Sequence, residues 1–210
     1  MIQGRLISLQ EAYNIVRNDP FSKRRLKVPH YIAGEKSVEG LDLDKLLIGG
    51  QDLQRLEGKI SNLDLGDFSL LMNIDEMFNS RIGKMYGFSQ VERMTGSSQI
   101  EEMLNSSQIK RMLDFSKVGK ISGFSQVERM LNFSQIDEMC EFSRVEEMLN
   151  SSRVEKMLGS SCIVEMFDYS QVERMFDSSK VVDMYRYSQV REINDSAQVH
   201  NRSDFSKIGN

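Results

Sequence analysis

The chain has 210 residues, of which 40% are hydrophobic and 28% are charged, and its formal net charge is -4 at pH 7. This balance is typical of a soluble folded protein and not of a disordered or a membrane-embedded one. A small negative charge gives no general attraction to nucleic acid or to anionic lipid. Two Cys and two His are too few for a disulfide framework or a histidine-rich metal site.

The N-terminal region, 1–72, carries no internal repeat, and we expect it to form a mixed cap or attachment domain. A short helix is predicted from Ser8, which has Glu11 at the capping-box position, and it should end before Pro20. Residues 38–72 partly alternate between apolar and polar residues, which predicts irregular first coils. Neither a signal peptide nor a membrane-spanning segment is indicated, so we expect a cytoplasmic protein or a component of a larger particle.

From residue 79 onward the sequence repeats every nine residues, as in residues 124–132, which read FSQVERMLN. We number the nine places of this unit from one to nine. The fourth place is Val or Ile in all fifteen units, the second is Ser in fourteen of fifteen, and the seventh is Met in eleven of fourteen. Such regularity within one chain indicates that every unit occupies the same environment in a repeat architecture.

Each place of the unit predicts a position in the fold. The recurring Ser, Val or Ile, and Met are expected to point inward and to stack on their copies in other units. The third, fifth and sixth places are mostly charged or amide residues of mixed sign, so we expect them to face water. The ninth place is Gly, Asn or Asp in twelve of fourteen units, which predicts a tight turn with left-handed backbone.

Two folds fit this pattern, and a single long helix does not. Nine residues make about 2.5 helical turns, so successive units of one helix would point in opposite directions. The segment Ser-x-Val alternates inward and outward as a strand does, which favours a mainly β fold: a nonapeptide-repeat β-solenoid with two or three units per coil. The alternative is a solenoid of single-turn mini-helices, because Ser at the second place and Glu at the fifth also match a capping box.

The repeat becomes irregular toward its C-terminal end. Ile193 and then Arg202 replace the Met of the seventh place, and Ala197 replaces the Ser of the second place. The end of a solenoid exposes unpaired backbone and core, so it needs a polar terminal segment. We therefore predict three regions: a cap or attachment domain at 1–72, the solenoid at 73–195 and a C-terminal cap at 196–210.

Two groups of side chains are candidates for contact with a partner. The first place is irregularly either Ser or an aromatic residue, which is typical of a corner of the coil. One interpretation packs these rings at corners of the core, and the other forms an exposed aromatic strip over four consecutive units. The residues of this strip are Phe115, Phe124, Phe133 and Phe142. A basic cluster near the N-terminus is suited to an acidic partner or a phosphate backbone. It consists of Lys23, Arg24, Arg25 and Lys27.

No group of residues in the sequence indicates catalysis, a cofactor or a metal site. We interpret the Met of the seventh place as core filler and not as a ladder of soft-metal ligands, because Met adapts to a narrow core. The Ser of the second place shares the inward direction of Val and Ile, so we expect its hydroxyl to bond to turn backbone. His30 and His200 lie at opposite ends of the chain, far from Cys140 and Cys162, which we interpret as incidental thiols.

Rigid repetition without a catalytic group leads to three functional hypotheses. We expect a non-enzymatic structural or scaffolding protein that makes protein–protein contacts, in a homo-oligomer or in a larger assembly such as a virion or an envelope. The alternative is a binding or inhibitor module that presents a rigid charged rod to a partner protein. A solenoid enzyme fits less well, because Glu and Asp are spread evenly along the repeats. The expected partners are proteins or further copies of the chain, and neither nucleic acid nor a small-molecule substrate is indicated.

Overall fold

Each nonapeptide unit contributes one strand and one turn, because its β-branched fourth place favours extended backbone and its ninth place favours a reversal. The computed structural model is accordingly a parallel β-solenoid of about seven coils, with no helix in the part of the chain that it describes. It describes residues 5–7, 30–32, 38–39, 56–61, 69–70, 72–203 and 205–209, and the side chains of these from residue 74 onward.

The strands follow one another along the whole described chain. Those before the regular repeat are β1 (Arg5–Ile7), β2 (His30–Ile32), β3 (Val38–Glu39), β4 (Leu56–Ser61), β5 (Ser69–Leu70) and β6 (Met72–Phe78). The strands of the repeat are β7 (Arg81–Met85), β8 (Gln90–Thr95), β9 (Gln99–Met103), β10 (Gln108–Met112), β11 (Lys117–Ile121), β12 (Gln126–Met130), β13 (Gln135–Met139), β14 (Arg144–Met148), β15 (Arg153–Met157), β16 (Cys162–Met166), β17 (Gln171–Met175), β18 (Lys180–Met184), β19 (Gln189–Ile193), β20 (Gln198–Arg202) and β21 (Lys207–Ile208).

Two units complete one coil, so each strand pairs with strands one coil before and after it. β10 pairs in parallel with β8 and β12, which aligns Met112 with Met94 and Met130, its equivalents two units before and two units after. β3 and the even-numbered strands from β4 to β20 form a ten-stranded sheet, and the odd-numbered strands from β5 to β21 form a nine-stranded one. This register confirms the predicted β-solenoid and selects two units per coil. The mini-helix alternative and the three-unit coil are wrong.

The two sheets enclose a core made of the fourth and seventh places. Every fourth-place residue from Ile74 to Val190 is at most 1% exposed, and every seventh-place residue from Met77 to Met184 is fully buried. These places are three residues apart, so the backbone bends within each strand instead of following a strict two-residue alternation. The predicted role of Met as core filler is confirmed.

The Ser of the second place is buried at the corner where each turn enters a strand. The Oγ of Ser89 donates to the carbonyl of Tyr86 at 2.7 Å, and the Oγ of Ser179 donates to the carbonyl of Phe176 at 2.7 Å. The backbone N–H of Ser89 reaches the same Tyr86 carbonyl at 3.2 Å. Five of the fourteen second-place Ser make such a bond to a backbone carbonyl, so the prediction that the inward hydroxyl bonds to turn backbone is confirmed only in part. The Oγ atoms of Ser107 and Ser125 lie 3.1 Å apart and bond to each other, and the other seven hydroxyls are buried without a hydrogen-bond partner among the described residues.

Left-handed backbone occurs at the ninth place of every unit from residue 87 to residue 195, with φ between 55° and 70°. Glu141 and Arg186, the two departures from the Gly, Asn or Asp pattern, adopt it as well. Successive turns are bonded to one another, since the N–H of Phe115 donates to the carbonyl of Gly96 at 3.1 Å. The same bond between a first-place N–H and the ninth-place carbonyl one coil earlier occurs in seven of the eleven turns from Ser106 to Ser196, so the turns stack less regularly than the strands.

The solenoid extends back into the region predicted to form the N-terminal domain. β4 pairs with β6, and β6 pairs with β8 in a coil that is one residue short, since Met77 aligns with Met94. Asn79, which opens the first of the fifteen units, has φ of 46° and so serves in this turn as both the ninth-place and the first-place residue. These strands agree with the irregular first coils predicted for residues 38–72. The predicted helix from Ser8 lies outside the described residues.

At the other end, β20 and β21 continue the two sheets through the region predicted to be the C-terminal cap. The core becomes more open there: Val199 and Ile208 are only partly buried and Arg202 is exposed. Among the described residues there is no helix long and apolar enough to cross a membrane.

Candidate interaction surface

The turns form two edges along the rod, because odd and even units turn at opposite ends of the coil. The turns that lead into the nine-stranded sheet form what we call the tyrosine edge. Its first-place residues are Ser97, Phe115, Phe133, Ser151, Tyr169, Tyr187 and Phe205. The turns that lead into the ten-stranded sheet from β8 onward form the serine edge. Its first-place residues are Phe88, Ser106, Phe124, Phe142, Ser160, Ser178 and Ser196.

The four residues of the predicted aromatic strip are divided between these edges. Phe115 and Phe133 stack on the tyrosine edge, with ring centroids 5.4 Å apart and planes inclined by 8°. Phe124 and Phe142 stack on the serine edge at 5.3 Å and 9°. All four rings are 59 to 67% exposed, so the expectation that they pack at corners of the core is wrong. They form two separate stacks because consecutive units alternate between edges.

The tyrosine edge carries a second, longer stack that lies outside the predicted strip. Tyr169 and Tyr187 stack at 5.2 Å and 7°, and the ring of Phe205 follows at 5.6 Å with a tilt of 35°. Beside them the eighth-place rings of Phe167 and Tyr185 stack at 4.8 Å. The signal in the sequence is an aromatic residue that recurs in every second unit, and it is visible only once the coil length is known.

Polar groups beside the rings of the tyrosine edge bond to one another. The Nδ2 of Asn150 donates to the Oδ1 of Asn132 at 3.2 Å, and the Nδ2 of Asn132 donates to the Oδ1 of Asp114 at 3.3 Å. Arg186 forms an ion pair with Asp168 at 2.5 Å. Most of the charge on this edge is therefore compensated within the edge itself.

The serine edge is more polar in its C-terminal half. Its ninth-place acids accept bonds from backbone: the N–H of Gly123 donates to Glu141 at 2.7 Å, and that of Gly159 donates to Asp177 at 2.9 Å. From Ser160 onward its first-place residues are all Ser. The first-place rings of this edge are thus limited to Phe88, Phe124 and Phe142, and the half-buried eighth-place rings of Tyr86 and Phe176 lie beside the turns.

The two sheet faces are covered by ion pairs between neighbouring coils. On the nine-stranded sheet, Lys117 pairs with Asp137 at 2.7 Å and Lys120 pairs with Glu138 at 3.3 Å. On the ten-stranded sheet, Arg129 pairs with Glu147 at 3.0 Å. Exposed pairs of this kind contribute about 0.2–1 kcal/mol each. They neutralise the faces, so neither face presents a large area of one charge.

The two thiols are buried and held in their protonated form. Burial raises the pKa of Cys140 to about 12, aided by a hydrogen bond that its Sγ donates to the Oε1 of Glu138 at 3.1 Å. The same bond, together with Lys120, holds the pKa of Glu138 below its usual value. Burial also raises the pKa of Cys162. A thiol attacks as the thiolate, so this environment is that of a structural cysteine.

One predicted contact group falls on residues that the structure does not describe. The basic cluster of Lys23, Arg24, Arg25 and Lys27 lies outside the described residues. Within the part of the chain whose side chains are described, no group of three or more His, Cys, Asp or Glu residues is arranged to hold a metal ion.

No protein-family model, curated protein or solved structure matches this chain. The functional conclusions below therefore depend on the fold and on the two edges.

Proposed function

We propose that the protein is a non-enzymatic structural or scaffolding protein, whose rod holds rows of aromatic side chains for contact with other protein surfaces. The observation that supports this most is the set of eight first-place rings, each 52 to 77% exposed. Folded monomers rarely expose contiguous apolar patches, and aromatic residues are enriched at the centres of protein interfaces.

The coil keeps these rings ready for contact. Each turn from residue 104 onward is bonded to the neighbouring coil at its first residue, as in the N–H of Tyr185 that donates to the carbonyl of Met166 at 2.8 Å. Seven of the eight rings already stack about one coil spacing apart. A partner that docks on such a row orders few additional side chains, so it loses little conformational entropy. The neutralised faces give no comparable support to a charged rod that inhibits a partner.

The test replaces all eight first-place aromatic residues by Ser, the residue that the same place carries in other units. The control variant replaces the six first-place Ser residues by Ala and keeps every ring. We expect both variants to give the circular dichroism of the wild-type chain. Only the variant without rings should lose self-association in solution and association with the proteins that co-purify with the wild-type chain. Equal association by the ring-free variant and the wild-type chain would contradict the proposed function.

A further inference from the structure

We infer that the tyrosine edge is a self-association surface, on which a second copy of the chain docks with its rod antiparallel to the first. This inference rests on the proposed function and adds the partner, the surface and the alignment. It is drawn from three properties of this edge: its exposed area, its charge and the arrangement of its rings.

The exposed area of the tyrosine edge is sufficient for a specific interface, and that of the serine edge is not. Five first-place rings on the tyrosine edge are 52 to 70% exposed. A ring has a surface of about 200 Å². If contact between two such edges buries the exposed part of all their rings, it removes roughly 1,200 Å² from water, which is the lower end of specific interfaces. The three rings of the serine edge remove roughly 800 Å² in the same arrangement, which is the range of non-specific contacts.

The charge of the tyrosine edge favours a second copy over a charged partner. Asp168 is paired with Arg186, and Asp114 accepts hydrogen bonds from Asn132 and from the backbone of Gly96. An edge with this little free charge offers no attraction to a strongly acidic or basic surface. The same edge of another copy is apolar in the same places, which is the condition for a two-fold symmetric contact.

Antiparallel alignment allows the whole aromatic segment to overlap itself. The segment runs from Phe115 to Phe205, a separation of ten units or five coils. Full overlap places Phe115 level with Phe205 of the second copy and Phe133 level with Tyr187 of the second copy. Every ring of the segment then lies against the second copy, with Ser151 and Tyr169 of opposite copies nearest the two-fold axis.

Two of the three pairs of polar neighbours tolerate this alignment, whereas the third, Asp114 with Asp204 of the second copy, is a pair of acids at the two ends of the segment. Asn132 comes level with Arg186 of the second copy, and Asn150 comes level with Asp168 of the second copy. Each amide can bond to the charged group that it faces, and neither pair sets like charges together. The eighth-place Leu131 would lie level with Tyr185 of the second copy, which extends the apolar contact on one side of the rings.

Light scattering on the full chain, over a roughly hundredfold range of concentration, tests the surface. We expect a dimer, and we expect Phe133→Ser with Tyr187→Ser to raise the dissociation constant by about a hundredfold or more, since central aromatic residues dominate interfaces. The matched control, Phe124→Ser with Phe142→Ser, removes a stacked pair from the serine edge and should leave the dimer intact. A monomeric wild-type chain, or a dimer lost only in the control variant, would overturn the inference.

Cysteine cross-linking tests the orientation, in a chain whose own thiols are replaced by Cys140→Ser and Cys162→Gln. Five coils separate residues 115 and 205 by roughly 24 Å, too far for a disulfide within one chain. Phe115→Cys with Phe205→Cys should therefore give covalent dimers under mild oxidation. Phe115→Cys alone should not, because its two copies would lie about 24 Å apart in the antiparallel pair. Efficient cross-linking of the single variant would indicate parallel rods and overturn the inference.

Failure of this inference is distinguishable from failure of the proposed function. If the wild-type chain is monomeric but binds co-purifying proteins that the ring-free variant loses, the scaffold function stands and the second copy is excluded. If the ring-free variant keeps every association, both are excluded.

Discussion

The fourth and first places of the repeat show how one unit combines a fixed interior with a variable exterior. The fourth place is Val or Ile in every unit and is at most 1% exposed from Ile74 to Val190. The first place is Ser or an aromatic residue, and each aromatic residue there is more than half exposed. Dense packing of the core restricts the fourth place to Val or Ile, whereas folding does not restrict the residue at the first place in this way. The first place is therefore where the chain can carry binding properties without loss of the coil.

The largest expected effect comes from placing a charge in the core. Met148→Asp buries an unpaired carboxylate at a fully buried position, so the free energy of unfolding should fall by about 4 kcal/mol or more. Chemical denaturation followed by circular dichroism measures this loss. The control Glu147→Lys breaks only a half-exposed ion pair with Arg129 and should cost about 0.5 kcal/mol. Similar losses in the two variants would mean that the inward and outward places are misassigned.

A smaller effect is expected at the turns that connect the interior to the edges. Gly123 has φ of 70°, and a Cβ there would lie 2.7 Å from the carbonyl oxygen of Asn105. Gly123→Ala should therefore cost about 2 kcal/mol, from left-handed strain and a backbone clash together. Gly87→Ala, at φ of 62° with open space around it, should cost only about 1 kcal/mol. The same denaturation measurement ranks the two, and equal costs would contradict the close stacking of the turns.

A third prediction concerns the buried thiol of Cys140, whose pKa is raised to about 12. The unfolded chain loses this proton near pH 8.5, so the folded state binds more protons between that pH and about 12. The contribution of this thiol to the free energy of unfolding is fully present below about pH 8.5. It falls as the pH rises from there to about 12, by at most about 1.4 kcal/mol per pH unit. Denaturation at several alkaline pH values should show a shallower fall in Cys140→Ser. Identical slopes of the unfolding free energy against pH in the two chains would show that burial does not raise the pKa of this thiol.

The smallest effect on stability is expected at the edge itself. Phe133 is 59% exposed, and the same place holds Ser151 one coil further along this edge. Phe133→Ser should change the free energy of unfolding by about 0.5 kcal/mol or less. A loss as large as that of a core variant would mean that the rings support the coil, and that the distinction between interior and edge is wrong.

The sequence alone predicted the properties that depend on a single unit. Inward Val, Met and Ser, outward charges and left-handed ninth places follow from side-chain chemistry within one nonapeptide. The coil length depends instead on which units pair, because two-unit and three-unit coils bury the same places. For this reason the sequence alone predicts one strip that contains both Phe115 and Phe124, although these residues lie on opposite edges. The turns at Glu141 and Arg186 show that stacked neighbours can impose left-handed backbone on residues that do not favour it.

The two-unit coil is the claim on which the two edges depend, and disulfide pairing tests it most directly. In the chain with Cys140→Ser and Cys162→Gln, Gln108→Cys with Gln126→Cys joins two residues in register on adjacent strands. Their spacing of about 4.8 Å suits a disulfide, so mild oxidation of the monomer should cross-link this pair almost completely. Gln108→Cys with Lys117→Cys, or with Gln135→Cys, places the thiols on different sheets and should give little product. Efficient cross-linking of either of those pairs, without the first, would contradict the two-unit coil and the edges built on it.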